Sequence, residues 1–184
     1  SDVRSFGGQG SYYQHNLWGD QSDIAISPDG TKLVVASKGA SSVCIHSVSS
    51  GGAYISNSCT KVGGRPNGRP NQNYDRTWWK AWDFRGTYPD YHYDPWGVSF
   101  DSSNNVYVVD GPKHILKKFN SSGSYLSKYG SRDCSGGDFC HPRGVYVDDN
   151  NKIWVADSSN GLVKQIGFNN SNVGSKTSIL TSMA

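Results

Sequence analysis

Four cysteines, five histidines, fifteen aspartates and a dense run of aromatic rings are the residues of this chain equipped for chemistry or recognition. The cysteines fall into two local pairs, Cys44 with Cys59 and Cys134 with Cys140. Four cysteines allow three pairings, and proximity favours these two bridges. Neither pair has the C-x-x-C spacing of a zinc site, and only His141 adjoins one of them, so disulfides are the expectation and no metal is. His15, His46, His92, His114 and His141 are scattered and each reads as a packing or surface residue; His92 and His141, in loops before inner strands, are the two best placed for function. No Gly-x-Ser-x-Gly elbow is present, and the Gly pairs at 51–52, 63–64 and 136–137 open no helix, so neither a hydrolase nucleophile nor a phosphate cradle is indicated. Asp148-Asp149-Asn150-Asn151 offers oxygen ligands but lacks the Gly and distal Glu of a calcium loop, and reads as a solvated turn.

The sharpest candidate for recognition is aromatic. Trp78, Trp79, Trp82, Tyr88, Tyr91, Tyr93 and Trp96 follow one another closely, with Arg76, Arg85 and, further on, Arg143 as cationic neighbours. Planar rings give large contact area at little entropic cost, which suits a protein interface or sugar stacking. Guanidinium groups add donors and cation–π partners. The alternative is that the run packs the preceding segment onto the body of the protein. That segment, 49–76, is rich in Gly, Pro and Arg, including Arg65 and Arg69, and excludes helix and central strand.

Composition limits the function further. The 184 residues carry a net charge of +3, 35% hydrophobic and 12% aromatic residues, 22 Gly and no Glu. With mean hydropathy at −0.61, the chain has enough rings to build a core. No dense basic stripe suggests nucleic acid, and no apolar run suggests a membrane span. Two sequons, Asn120-Ser121-Ser122 and Asn169-Asn170-Ser171, each follow a predicted strand. Cysteines, sequons and the lack of an initiator Met fit a secreted, processed glycoprotein or an excised fragment.

The elements that must position these residues are set by a repeat. Pro95-Trp96-Gly97-Val98-Ser99-Phe100-Asp101 leads to Val106-Tyr107-Val108-Val109-Asp110; 47 residues on, Pro142-Arg143-Gly144-Val145-Tyr146-Val147-Asp148 leads to Ile153-Trp154-Val155-Ala156-Asp157. A looser copy runs from Asp23 to Ser37. A period in the forties built from short strands predicts propeller blades. The chain therefore reads as all-β with about three four-stranded blades, either incomplete or completed by an oligomer. The first blade is expected over 22–48 with 77–86, the second over 94–130 and the third over 141–182, with a stray outer strand at 1–8. Asp110 and Asp157 end second strands and read as acceptors for backbone N–H groups in the following turn.

These blades resemble NHL repeats, which carry a Pro-x-Gly-Val-x-Val-Asp strand followed by Val-x-Asp; the match is good over 94–168 and weaker over 22–48. The resemblance implies blades of a six-bladed propeller, which at this period needs roughly 270 residues. Members include enzymes, binding modules and RNA-binding domains. Asp110-x-x-x-His114 and Phe139-Cys140-x-Pro142 also look like stretches of the secreted peptidyl-hydroxyglycine amidating lyase. Its zinc-binding histidines directly follow the repeat's Pro, where this chain has Trp96 and Arg143. The expectation is thus a secreted, non-catalytic module without cofactor, which associates with copies of itself or with other extracellular subunits in a fibre or surface assembly. The alternatives are a monomeric propeller that binds glycan or ligand and, further off, a metal-dependent lyase or lactonase.

Overall fold

A computed structural model describes residues 21–38, 42–49, 59–63, 94–130, 134, 138–168 and 174–180. They form three antiparallel sheets, each a four-stranded meander. The first blade comprises β1 (Gln21–Ile26), β2 (Lys32–Ser37), β3 (Ser42–Ser47) and β4 (Thr60–Lys61). The second comprises β5 (Pro95–Phe100), β6 (Val106–Asp110), β7 (Ile115–Phe119) and β8 (Tyr125–Tyr129). The third comprises β9 (Pro142–Val147), β10 (Ile153–Asp157), β11 (Leu162–Phe168) and β12 (Gly174–Leu180). The described residues are thus all-β but for two short 3-10 turns, Gly111–Lys113 and Ser158–Asn160.

The fourth position of the first sheet is taken by Thr60–Lys61, which the sequence reading placed in its insertion. The Cys44–Cys59 disulfide explains the choice, since Cys44 lies opposite Lys61 and the bridge staples this two-residue strand to β3. The expected outer strand at 77–86 and the stray strand at 1–8 lie outside the described residues.

The inner strands stand in chain order, β1 beside β5 and β5 beside β9. Hydrophobic burial follows from that order. One core lies between the first two blades and joins Val34, Ala36, Val43, Ile45 and Val62 to Val98, Phe100, Val106, Val108 and Phe119. The other lies between the second and third and joins Tyr107, Val109 and Leu116 to Val145, Val147, Ile153, Val155 and Ile166, with Phe139 beside them. Alternate residues of β6 therefore serve opposite cores, as the two-residue period of a strand requires. A fully buried Val, Leu or Phe contributes ~1.5–3 kcal/mol, so the stabilising unit is the blade pair rather than the blade.

Polar side chains fix the stagger between neighbours. Asp23 accepts from Val98 N–H at 2.8 Å, and Ser99 Oγ accepts from Val147 N–H at 3.1 Å. At the outer turns Asn104 Nδ2 donates to Asp29, while Asn151 and Ser102 exchange two hydrogen bonds. Gly97 is required by backbone proximity, because a Cβ there would stand 2.8 Å from the Arg143 carbonyl oxygen.

Candidate functional site

The inner strands of the second and third blades begin on Pro95 and Pro142, and the residue after each proline is a functional candidate from the sequence. The structure brings the two together: the Arg143 guanidinium carbon lies 4.9 Å from the centroid of the Trp96 ring. Lys38, which follows β2 of the first blade, places its ammonium 5.4 Å from the same ring. The indole lies directly against Gly111, where a Cβ would meet ring atoms at 2.5 Å. Three blades thus converge on one tryptophan, with the exposed Arg143 at its outer side. Among the described residues no acceptor meets the buried Nε1–H of Trp96.

Asp94 precedes the strand and receives part of this field. Burial, first of all, raises its carboxyl above the ordinary carboxylate value; Lys38 opposes this and the charge of Asp110 adds to it. A half-buried indole with two cations and a reluctant carboxylate carries the chemistry of cation–π stacking and charge-assisted hydrogen bonding. Lys38 and Asp94 were not singled out in the sequence. Aligning the repeats would have placed Lys38 at the position of Gly111 and Ser158, but nothing in that position marks it as part of a site.

Asp110 and Asp157 are wholly buried. They do accept backbone N–H bonds, but from the segment that enters the inner strand rather than the following turn. Asp110 accepts from Asp94 N–H at 3.3 Å, and Asp157 from Cys140 N–H at 2.6 Å. Their other oxygens meet buried lysines, Asp110 with Lys117 at 3.3 Å and Asp157 with Lys164 at 2.6 Å. The ammonium of Lys164 also donates to the Asp138 carbonyl. These ion pairs are structural clamps. They hold Pro95 and Pro142, and so Trp96 and Arg143, at the ends of their sheets.

Asp148 stabilises its turn. Its carboxylate accepts from the N–H groups of Asn150 and Lys152 and from Trp154 Nε1–H, which hold it below the ordinary carboxylate range, the indole bond foremost. Asp101 braces the corresponding turn one blade earlier, accepting from Ser103 and Asn105 N–H and from the Tyr107 hydroxyl.

Both expected disulfides are formed, Cys44–Cys59 and Cys134–Cys140. At Asn120 the side-chain oxygen accepts from Ser122 N–H, Ser122 Oγ–H and Ser124 N–H; the amide nitrogen, where a glycan would attach, takes no part in these bonds. Trp78, Trp79, Trp82, Tyr88, Tyr91, Tyr93, Arg76, Arg85 and the sequon residue Asn169 lie outside the described residues.

Residues 139–166 match the NHL repeat. No curated protein matches the chain in sequence. Solved structures share its fold. A functionally unknown protein from Desulfotomaculum acetoxidans superposes with a TM-score of 0.57 at 14% identity, over 87% of this chain and 42% of that one. A chain of a nidogen/laminin complex gives 0.55 at 13% identity, over 88% and 47%. A catalytically inactive virginiamycin B lyase from Staphylococcus aureus with quinupristin gives 0.50 at 12% identity, over 88% and 42%. The described residues therefore form β-propeller blades with an NHL repeat in the third, and the chain spans less than half the length of each of these three structures.

Proposed function

We propose that this chain is a secreted, non-catalytic binding module that associates with further subunits through the faces its first and third blades leave bare. The supporting observation is the burial of the inner strands. In the middle blade β5 is buried on both faces, with Trp96 alone half-exposed. In the first blade Ile24 and Ile26 of β1 are 56% and 60% exposed, and in the third Arg143 and Tyr146 of β9 are exposed, the tyrosine by 61%. One end of the arc is aliphatic and the other aromatic and cationic, while neighbouring blades within the chain pack inner strand to inner strand. The same contact can repeat from the third blade of one copy to the first blade of the next. Such a head-to-tail contact closes into a ring where the rotation allows and propagates into a fibre where it does not. The three described blades would be half of a six-bladed ring, which two such units would close. The two disulfides fit an oxidising, extracellular setting.

Replacing Ile24 and Ile26 with Asp tests the reading by light scattering. Loss of the multimer with the sheet signal retained is the expected result; an unchanged native mass would oppose it. The second reading, a ligand- or glycan-binding propeller, is favoured by Trp96 with its flanking cations. It predicts that Arg143→Ala and Trp96→Ala weaken ligand binding in a stable monomer.

A further inference from the structure

A side-chain cluster distinct from the Trp96 site surrounds the second disulfide. His114 comes just before β7 and His141 just before β9, and the fold brings both to the Cys134–Cys140 bridge. One ligating atom from each of His114, Cys134, Cys140 and His141 lies within 4.8 Å of all the others. The imidazoles meet edge to face with centroids 4.4 Å apart, and His141 Nδ1 lies 3.7 Å from Cys140 Sγ. His114 is buried and accepts from the His141 N–H through Nδ1 at 2.9 Å. Both histidines hold the left-handed backbone conformation, with φ of 58° and 47°, so the rings are aimed by the main chain as well as by packing. Only the His141–Cys140 adjacency was legible beforehand, because His114 stands far from the cysteines along the chain and the cysteine spacing is not that of a zinc motif.

Two imidazoles and two cysteine sulfurs are the donor set of a tetrahedral zinc site. Bonds of about 2.3 Å to sulfur and about 2.0 Å to nitrogen place such donors roughly 3.3–3.8 Å apart; no donor pair of the cluster is wider than 4.8 Å, and the two sulfurs, joined here as a disulfide, are the pair that must part, as reduction allows. Disulfide sulfurs carry no thiolate, so the set is complete only after reduction. We infer that the Cys134–Cys140 loop is a redox-exchangeable clamp, a disulfide when oxidised and a zinc site formed with His114 and His141 when reduced. A dithiol reductant supplies two electrons and two protons, breaks the S–S bond and closes to its own disulfide. Zinc then takes the two cysteines as thiolates, and their protons pass to solvent. The Nδ1 lone pair of His114 is the one free of a proton while it accepts from His141 N–H, so metal and backbone compete for it. Zinc in the reduced form replaces a covalent constraint on the entrance to β9 with a coordinate one, and the third blade keeps its register.

The test compares oxidised protein with protein reduced by a water-soluble phosphine, which leaves as its oxide with an oxygen from water and does not hold zinc as a dithiol would. Each sample is loaded with zinc, desalted and assayed for metal, and cobalt(II) is used in parallel to read the ligand set. The reduced wild type retains one equivalent and its cobalt form shows tetrahedral d–d bands with thiolate charge transfer; the oxidised protein retains none. Cys134→Ser/Cys140→Ser, which keeps the other two cysteines, loses both signals, and His141→Asn, compatible with the left-handed backbone, weakens binding about tenfold or more. Three results would overturn the inference: no retained metal in the reduced wild type, the same cobalt spectrum in the double serine variant, or a reduced chain whose sheet signal is lost and not restored by zinc.

Discussion

Lys117 and Lys164 are as deeply buried as the valines around them, at 1% and 2% exposure, and each is balanced by one aspartate. Removing a single partner strands a buried charge, which costs ~3–5 kcal/mol, whereas replacing both with apolar groups of similar size is close to neutral. Lys164→Met is therefore expected to lower unfolding stability by about that amount in urea titration, and Asp157→Leu/Lys164→Met to recover most of it. Equal losses in the single and double variants would contradict the clamp. The pair was present in the sequence as Asp-x6-Lys in both copies of the repeat, Asp110 to Lys117 and Asp157 to Lys164. It went unread because alternation marks a strand lysine as solvent-facing, and only the adjacent blade shows that this face is covered.

Two tyrosines make a pH-dependent statement at the same scale. Burial, then the charge and hydrogen bond of Asp138, push the Tyr129 phenol up to about 12; burial and Asp101 carry Tyr107 higher still. An unfolded tyrosine ionises near ~10, so the raised folded values leave stability intact below pH ~10 and remove it as pH climbs through the folded values. Tyr129→Phe should make the loss of stability above pH ~10 shallower, read by circular dichroism beside tyrosinate absorbance. An unchanged alkaline slope would contradict the assignment.

At the scale of elements, Gly97 and Gly144 occupy the same position of the repeat but not the same space. A Cβ at Gly97 would stand 2.8 Å from the Arg143 carbonyl and 3.0 Å from the Gly144 Cα, whereas at Gly144 the nearest atom is the Ala156 Cβ at 3.7 Å. Gly97→Ala is expected to destabilise by about 1–3 kcal/mol and Gly144→Ala to be nearly neutral, in the same urea assay. The reverse order would mean that the second and third blades do not pack as described. The contrast follows from a neighbour on one side only: β9 has β5 against it and nothing beyond its other face among the described residues. Strands carried by the repeat itself, such as Val106–Asp110 and Ile153–Asp157, were legible from it. Thr60–Lys61 was not, since two residues carry no period, and their pairing depends on the Cys44–Cys59 bridge rather than on side-chain pattern. Trp96 and Arg143 were legible as positions after a repeated proline, but their meeting depends on how adjacent blades stagger.

For the molecule as a whole, the two buried cores fall between blades, so each blade is stabilised by its neighbours, and among the described residues the first and third blades have one neighbour each. Ile24 and Ile26 at one end and Tyr146 at the other are large side chains left exposed on inner strands, the surfaces that a further blade would cover. The most direct test is the native molar mass of the oxidised chain by light scattering over a range of concentrations. The account predicts at least twice the 20.1 kDa of a single chain, with two copies for a closed ring and a larger series for a fibre. A species that stays at the mass of one chain up to high concentration would contradict it.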